Sequence, residues 1–580
     1  MTSDNPAPMK DSTTPATTAT AKKAAARKAT AQKTAATKTA PGKTTARATV
    51  KKATVRKATV KKVAEPVEPV EQVFTDGADR EVSLGTDAAF AAPAPMPGNV
   101  LRSISDIRHA MRTNTTPVFF FGATPFNLLG LDRWVRNFSY VSYYDGWDGA
   151  HPRIFTPHDK PYVEFASGEE VNHWLLRNEE VRAYVAAKTP TGVRPKVAMV
   201  FVDEETETIC DEAGYDLILP PASLRHRLDS KLETTRMANE AGVPSVPNVM
   251  GNVHDWKGLC ALAKKAGLGD DLVIQSAYGD SGKTTYFVDG PESFKKHAED
   301  IIDEDVKIMR RIDNFPVAVE AVLTSCGTIV GPFMSELTGH SELTPYRGGW
   351  CGNEMFPAVL SEQARAKATD MVIRLGDRIG KEGYRGFFEV DVLVDLLDDE
   401  VYLGELNPRI SGASAITNVT AGAYADVPLF LFHLLDYLDI EIDIDVNEIN
   451  ERWQRISGAD EWSHMIIKET ADTVELIRSA AATGQYSLAA DGELIFRRAA
   501  LDWHQLQNES EAFFLRVYGA GDYRWKGADL GVLVTKGRLQ QEVDGKVVLT
   551  ERARALVDAV RSRYTGVAVD KDGMPVSAVK

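Results

Sequence analysis

The chain has 580 residues, 43% hydrophobic and 26% charged, with a net charge of −15; that length allows about three to four domains and a full hydrophobic core. Four cysteines, Cys210, Cys260, Cys326 and Cys351, form no C-x-x-C pair and meet no histidine at zinc spacing, which argues against a disulfide scaffold or zinc module and for a reducing, cytoplasmic setting. No apolar run approaches ~18 residues and no hydrophobic segment follows closely behind the N-terminus, so neither a membrane span nor a secretory signal is expected.

The charge is unevenly divided. Residues 1–62 carry fifteen Lys/Arg against Asp4 and Asp11, a net of +13, so the remainder carries −28. Alanine, threonine and lysine dominate this stretch, and Ala-Thr-Val-Lys-Lys-like units repeat up to Lys62. So few large apolar groups cannot offset the entropy of ordering, and residues 1–98 read as a disordered tail: a basic part over 1–62, then a Pro/Glu/Ala spacer over 63–98. In composition the tail is similar to the tails of linker histones and of some bacterial nucleoid proteins. Such a run can hold DNA, RNA or polyphosphate by counterion release, without sequence readout, and would then bring the protein to the nucleoid; equally, it can simply solubilise the chain.

From Val118 the order Val-Phe-Phe-Phe-Gly-Ala-Thr-Pro followed by Phe126 to Leu131 reads as buried strand, tight turn and helix, opening an α/β domain over 99–221. Apolar runs at 196–202 and 216–220 read as further strands, with a helix over 179–187. The next block, 222–440, begins with Asp229-Ser230-Lys231 and a helix stopped by Gly242 and Pro244. Residues 272–288 then form two strand-like runs joined by Tyr278-Gly279-Asp280-Ser281-Gly282-Lys283-Thr284. Glycine lets backbone amides approach phosphate oxygens, Ser281 and Thr284 can donate, and Lys283 is cationic, so a hairpin lid over phosphates is expected. A P-loop is excluded because Ala277 stands where its first glycine would be and a strand follows.

Strands over 317–323 and 328–334 come next. Residues 386–395 and 401–405 then read as an antiparallel hairpin, followed by Asn407-Pro408-Arg409. Side chains two apart on a strand share a face, so Glu389 with Asp391, and Glu405 with Asn407, can offer oxygens to one or two hard cations while Arg409 reaches an anion beside them. Between these strand systems, the loop 344–354 is rich in glycine and aromatics; Arg347, Trp350 and Asn353, with Ser411 beyond the arginine, are candidates for substrate recognition. Cys351 has no identifiable base and is not read as a nucleophile. Residues 441–580 read as a small α+β accessory domain, in which His464 and His504 lack partners at ligand spacing.

Taken in order, Lys231, the hairpin over 274–288, Glu320, the Glu389/Asp391 strand and Glu405-x-Asn407-x-Arg409 resemble the ATP-grasp superfamily, over about residues 221–440. The resemblance implies a pre-ATP-grasp α/β domain, an ATP-grasp domain of two α+β subdomains and the C-terminal domain. It implies ATP and magnesium, with manganese as an alternative ion. Lys231, Gln275, Ser281, Gly282, Lys283, Thr284 and Glu320 would meet the nucleotide, Met309, Arg310 and Ile312 would form the adenine-side hinge, and Asp391, Glu389, Glu405 and Asn407 would hold the metal. Many members carry lysine where Gln275 stands. The implied chemistry is a carboxylate-amine ligase: a carboxylate activated as an acylphosphate, attacked by an amine, with Arg409 and Lys231 stabilising the developing charge. Biotin carboxylase-like carboxylation comes second, and a noncatalytic nucleotide-binding protein with a polyanion-binding tail is the rival from another class. Small-molecule or peptide acids and amines, and a second copy of the chain, are the partners expected.

Overall fold

The computed structural model describes residues 100–161, 165–279, 284–423, 427–457 and 459–570. The basic tail and its spacer, and Ser281, Gly282 and Lys283 of the expected lid, lie outside the described residues. None of the described helices is long and apolar enough to cross a membrane.

Five parallel strands form the first sheet: β1 (Val118–Gly122), β2 (Phe138–Ser142), β3 (Ile154–Phe155), β4 (Lys196–Met199) and β5 (Asp216–Leu217), in the order β3-β2-β1-β4-β5. An uninterrupted apolar strand such as β1 needs cover on both faces. Val118 and Phe120 pack with Ile107 and Met111 of the helix Ile104–Thr113, while Phe119 and Phe121 pack with Val171, Leu175 and Val181 of the helices Gly168–Arg177 and Glu179–Lys188. The helix expected over 126–131 is absent. Two 3₁₀ turns, Phe126–Leu128 and Leu131–Arg133, stand there instead, separated by Gly130 at φ +97°, a left-handed conformation that no helix can contain.

The second sheet is antiparallel: β6 (Asn248–Asn252), β7 (Leu272–Ser276), β8 (Thr285–Val288) and β9 (Asp305–Arg310), in the order β6-β9-β7-β8. β7 and β8 are the two arms of the expected hairpin, with Gln275 opposite Thr285. Val306 and Ile308 of β9 face a core shared with Leu259 and Ala263 of the helix Trp256–Ala266, which leaves Lys307 and Met309 on the opposite face.

The third sheet has ten strands. It begins β14-β13-β10-β11-β12-β15, with β10 (Asn314–Thr324), β11 (Gly327–Thr338), β12 (Trp350–Met355), β13 (Gly386–Asp395), β14 (Val401–Asn407) and β15 (Trp462–Lys468). It continues through Asp529–Lys536, Glu511–Arg516, Gly484–Leu488 and Leu494–Arg498. Five strands from beyond residue 441 therefore extend the sheet that carries Glu405, while others form a three-stranded and a two-stranded sheet of their own. Phe388, Val390 and Val392 pack beneath it against Ala368, Met371 and Leu375 of the helix Glu362–Gly380, so the acids on the alternate positions of β13 face the other way.

Candidate active site

The register across β13 and β14 sets Asp391 opposite Glu405 and Glu389 opposite Asn407; β10 adds Glu320 opposite Glu389. Directly opposed residues in an antiparallel pair share a face, which brings these acids together. A bulge at Gly404 makes the approach close: a Cβ there would lie 3.1 Å from the Asp391 carbonyl oxygen.

Lys231 is the first residue of the helix Lys231–Glu240, whose start is capped by Ser230. A cation there opposes the helix dipole, and its position is explained by its partners. The buried ammonium donates to Glu405 Oε1 at 2.7 Å and to the Gly279 carbonyl at 2.8 Å, while the Lys231 backbone N–H donates to Ala277. Lys231 thus joins the acidic strand to the beginning of the lid. Asn407 Nδ2 donates to Glu389 Oε2 at 2.5 Å and Asn407 Oδ1 accepts from Arg409 Nη2 at 2.8 Å.

Burial pushes the Glu405 carboxyl up to about 7; Lys231 pulls it back and Asp391 pushes it further. Burial and then Asp391 hold Glu389 well above the usual carboxylate range, and burial raises Asp391 as well. A fourth acid joins them. Glu336 on β11 is pushed far up by burial, then by Asp391 and Glu405, and lines one cleft with Gln275, Met309, Asp391 and Glu405. Buried acids that resist ionisation, the more so with other acids beside them, are relieved by a cation. Among the described residues no three His, Cys, Asp or Glu side chains converge as a ready-made metal cage. One or two carboxylates plus phosphate oxygens are the usual surroundings of magnesium, so this donor set suits a metal that arrives with a polyphosphate.

Met309 is buried in the cleft, whereas Arg310 points outward, 3.9 Å from Asp395, and Ile312 follows beyond the strand end. Gln275 Nε2 donates to Thr285 Oγ1 at 3.2 Å; its buried Oε1 and the Thr284 hydroxyl have no partner among the described residues. Glu320 lies beyond Glu389. Its Oε1 accepts from Ser411 Oγ at 2.8 Å and Ser414 Oγ at 2.5 Å, and burial raises its carboxyl to about 7. Ser411 is therefore engaged by Glu320.

Arg409 lies with its guanidinium 5.9 Å from the Phe201 ring centre, beside the parallel sheet. A second arginine, Arg225, donates to the Val202 carbonyl at 2.9 Å; burial and then the charge of Arg409 make its guanidinium easier to deprotonate. Two guanidiniums this close repel one another, a repulsion that an anion between them would relieve. Trp350 and Asn353 come together, the indole N–H donating to Asn353 Oδ1 at 3.2 Å, and Trp350 fills the space where Gly412 lacks a Cβ. Arg347 stands apart on the exposed loop.

His464, on β15 opposite Asn353, is fully buried between Phe126 and Trp350, with ring centres 5.5 and 5.8 Å away. Neither ring nitrogen has a partner among the described residues, nor does Asn353 Nδ2. Burial lowers the imidazole to about 3. The unfolded chain, near 6.5, binds a proton that the folded chain refuses, so this residue makes stability fall as pH drops from about 6.5 toward 3. His464→Phe is expected to flatten that acid dependence while holding the melting temperature at neutral pH. Melting curves from pH 7.5 to 4 check it; an unchanged slope rules out His464 as its source.

A larger cavity lies between Arg108, Arg133, Trp134 and His504, but there Arg133 already pairs with Asp502 at 2.5 Å and no lysine faces clustered acids. The smaller cleft over Glu405 is the one where a buried lysine meets clustered acids.

No family model matches the chain. The mitochondrial methylcrotonoyl-CoA carboxylase subunit alpha of Arabidopsis thaliana is 23% identical over 245 residues, 41% of this chain and 32% of that protein. Its Glycine max counterpart is 23% identical over 237 residues. The chain thus spans about a third of the length of the curated relatives it matches. Among solved structures, the biotin carboxylase domain of Hydrogenobacter thermophilus 2-oxoglutarate carboxylase, in complex with MgADP, ADP and bicarbonate, has a TM-score of 0.52 at 12% identity, over 78% of this chain and 91% of that one. The chain has an ATP-grasp fold. In ATP-grasp terms, the four-stranded sheet with its β7–β8 hairpin is one subdomain and the sheet bearing Glu405 is the other, with the cleft between them. Lys307, Glu336 and Arg225 escaped the reading of the sequence, which named His464 only as a histidine without partners at ligand spacing.

Proposed function

We propose that the chain is an ATP- and magnesium-dependent ligase that joins a carboxylic acid to an amine. The observation that carries this reading is the cleft itself, where Lys231, Glu405, Asp391 and Glu336 meet beside Gln275 and Met309, with Arg409 and Arg225 beyond. When bound, MgATP would supply the γ-phosphoryl group that turns the acid into an acylphosphate, which the amine attacks with loss of phosphate.

The chain's own residues bind and orient. Lys231 neutralises phosphate charge while tying the lid to β14. Asp391, Glu405 and Asn407 would hold the metal, with Glu389 fixing Asn407. Arg409, with Arg225, would hold the acid on the side of the parallel sheet, and Trp350, Asn353 and His464 would border the acceptor. No side-chain nucleophile is required, and most of the rate gain comes from positioning and preorganised charge.

A second reading takes bicarbonate as the acid, as in biotin carboxylase chemistry; the fold likeness to the H. thermophilus domain favours it. Purified protein with MgATP and pooled acids and amines, beside a bicarbonate and biotin pool and a Glu405→Ala control, separates the readings by ADP release. Turnover that needs both an acid and an amine and is lost in the control supports the ligase; turnover with bicarbonate and biotin alone moves the assignment to the second reading. Tight MgATP binding with silence in every pool favours a noncatalytic nucleotide-binding protein. For the tail, we propose nonspecific polyanion binding and, through it, nucleoid association. Deleting residues 1–62 should remove salt-sensitive DNA binding and leave turnover intact; equal DNA affinity without the tail refutes the tether.

A further inference from the structure

Lys307 is 1% exposed and sits on β9 with Gln275 opposite it on β7. Both Gln275 and Met309, which shares a strand face with Lys307, line the cleft over Glu405. The other face of β9, with Val306 and Ile308, is closed by the core, so the ammonium belongs to the cleft side. Lys231 is balanced by Glu405 at 2.7 Å. Lys307 makes neither a hydrogen bond nor an ion pair among the described residues. A lysine side chain this deeply buried without a partner among the described residues is costly, since long cationic side chains are almost never fully buried unless paired. The neighbouring buried Oε1 of Gln275 has no partner among the described residues either. Two polar side chains in register, one of them cationic, therefore wait on the subdomain that carries the lid.

We propose that Lys307 is a phosphate-binding residue for the nucleotide, supplying from β9 the positive charge that neutral Gln275 does not supply from β7. The inference rests on the nucleotide-binding reading above. Burial lowers the ammonium to about 8, with Lys231 adding to the effect and Glu405 opposing it, so an anion arriving between the two lysines would stabilise the charged form.

The test is calorimetric binding of adenosine, AMP, ADP and ATP to the full chain and its variants, with melting curves of the nucleotide-free proteins. Lys307→Met should weaken ADP and ATP roughly 10- to 100-fold, the range of a charged hydrogen bond, and leave adenosine within about 2-fold. The same variant should melt no lower than the native protein without nucleotide, because it removes an uncompensated buried charge. Adding Gln275→Lys to Lys307→Met should recover ADP affinity, since the two positions face each other across the ladder. Native ADP affinity in Lys307→Met, or equal losses of adenosine and ADP, overturns the proposal and spares the nucleotide reading. A native protein that binds none of the four ligands overturns both.

Discussion

Lys231→Met is expected to reduce MgATP-dependent ADP release by roughly 10²- to 10³-fold or more, the cost of removing one preorganised charge from a reacting phosphoryl group. It should also destabilise the fold. Removing one member of a buried pair costs about 3–5 kcal/mol when the survivor keeps its charge. Glu405 retains some exposure and its carboxyl is already raised to about 7, so it can take up a proton once Lys231 is gone, and about 1–3 kcal/mol is the expected loss. Adding Glu405→Gln should return most of that stability and none of the turnover. Denaturant unfolding and ADP release on the same four proteins form a cycle; a double variant as unstable as Lys231→Met means that the pair does not account for the stability loss.

Arg409→Lys is expected to reveal the other end of the site. The planar guanidinium is held by Asn407 Oδ1 and lies toward Phe201 and Arg225, away from Met309. A lysine keeps the charge but loses the fork that grips a carboxylate through two bonds. With the acid identified, its KM should rise at least about 10-fold and kcat should fall roughly 10²-fold, while ADP affinity changes by less than about 3-fold. Steady-state kinetics with the acid varied, beside ADP titration, separates these terms. A matching loss of ADP affinity would move Arg409 to the nucleotide and leave Arg225 as the arginine of the acid site.

Much of this arrangement was legible in the chain because strands announce their faces. The two-residue spacing of Glu389 and Asp391, and of Glu405 and Asn407, sets each pair on one side of its strand, and the intervening apolar residues tell which side is buried, whereas Arg409 follows in the turn beyond the end of β14. What a strand cannot announce is the element across from it. Lys307, in Asp-Val-Lys-Ile-Met, alternates as a solvent-facing lysine would, and only the sheet order β9-β7 turns that face toward a cleft. Glu336 and His464 read as ordinary polar positions until β12, between β11 and β15, places each opposite Asn353. Phe126 to Leu131 looked helical from its apolar content, but Gly130 in the left-handed region breaks the turn.

The continuity of the large sheet ties its distal half, the five strands beyond residue 441, to the half that carries Glu405. Glu354 on β12 is fully buried and accepts the backbone N–H groups of Leu539 and Gln540 and the guanidinium of Arg538, more than 180 residues later in the chain. The same strand pairs over Gly352 to Met355 with β15. Cutting the chain near residue 440 would strip the ladder from one side of β12, bare an apolar edge and leave a buried carboxylate with only the Ser335 hydroxyl, at 3.4 Å, as a donor. Such a fragment should self-associate through that edge. The segment completes the sheet beside β12, and domain shuffling or truncation at that point should forfeit the fold.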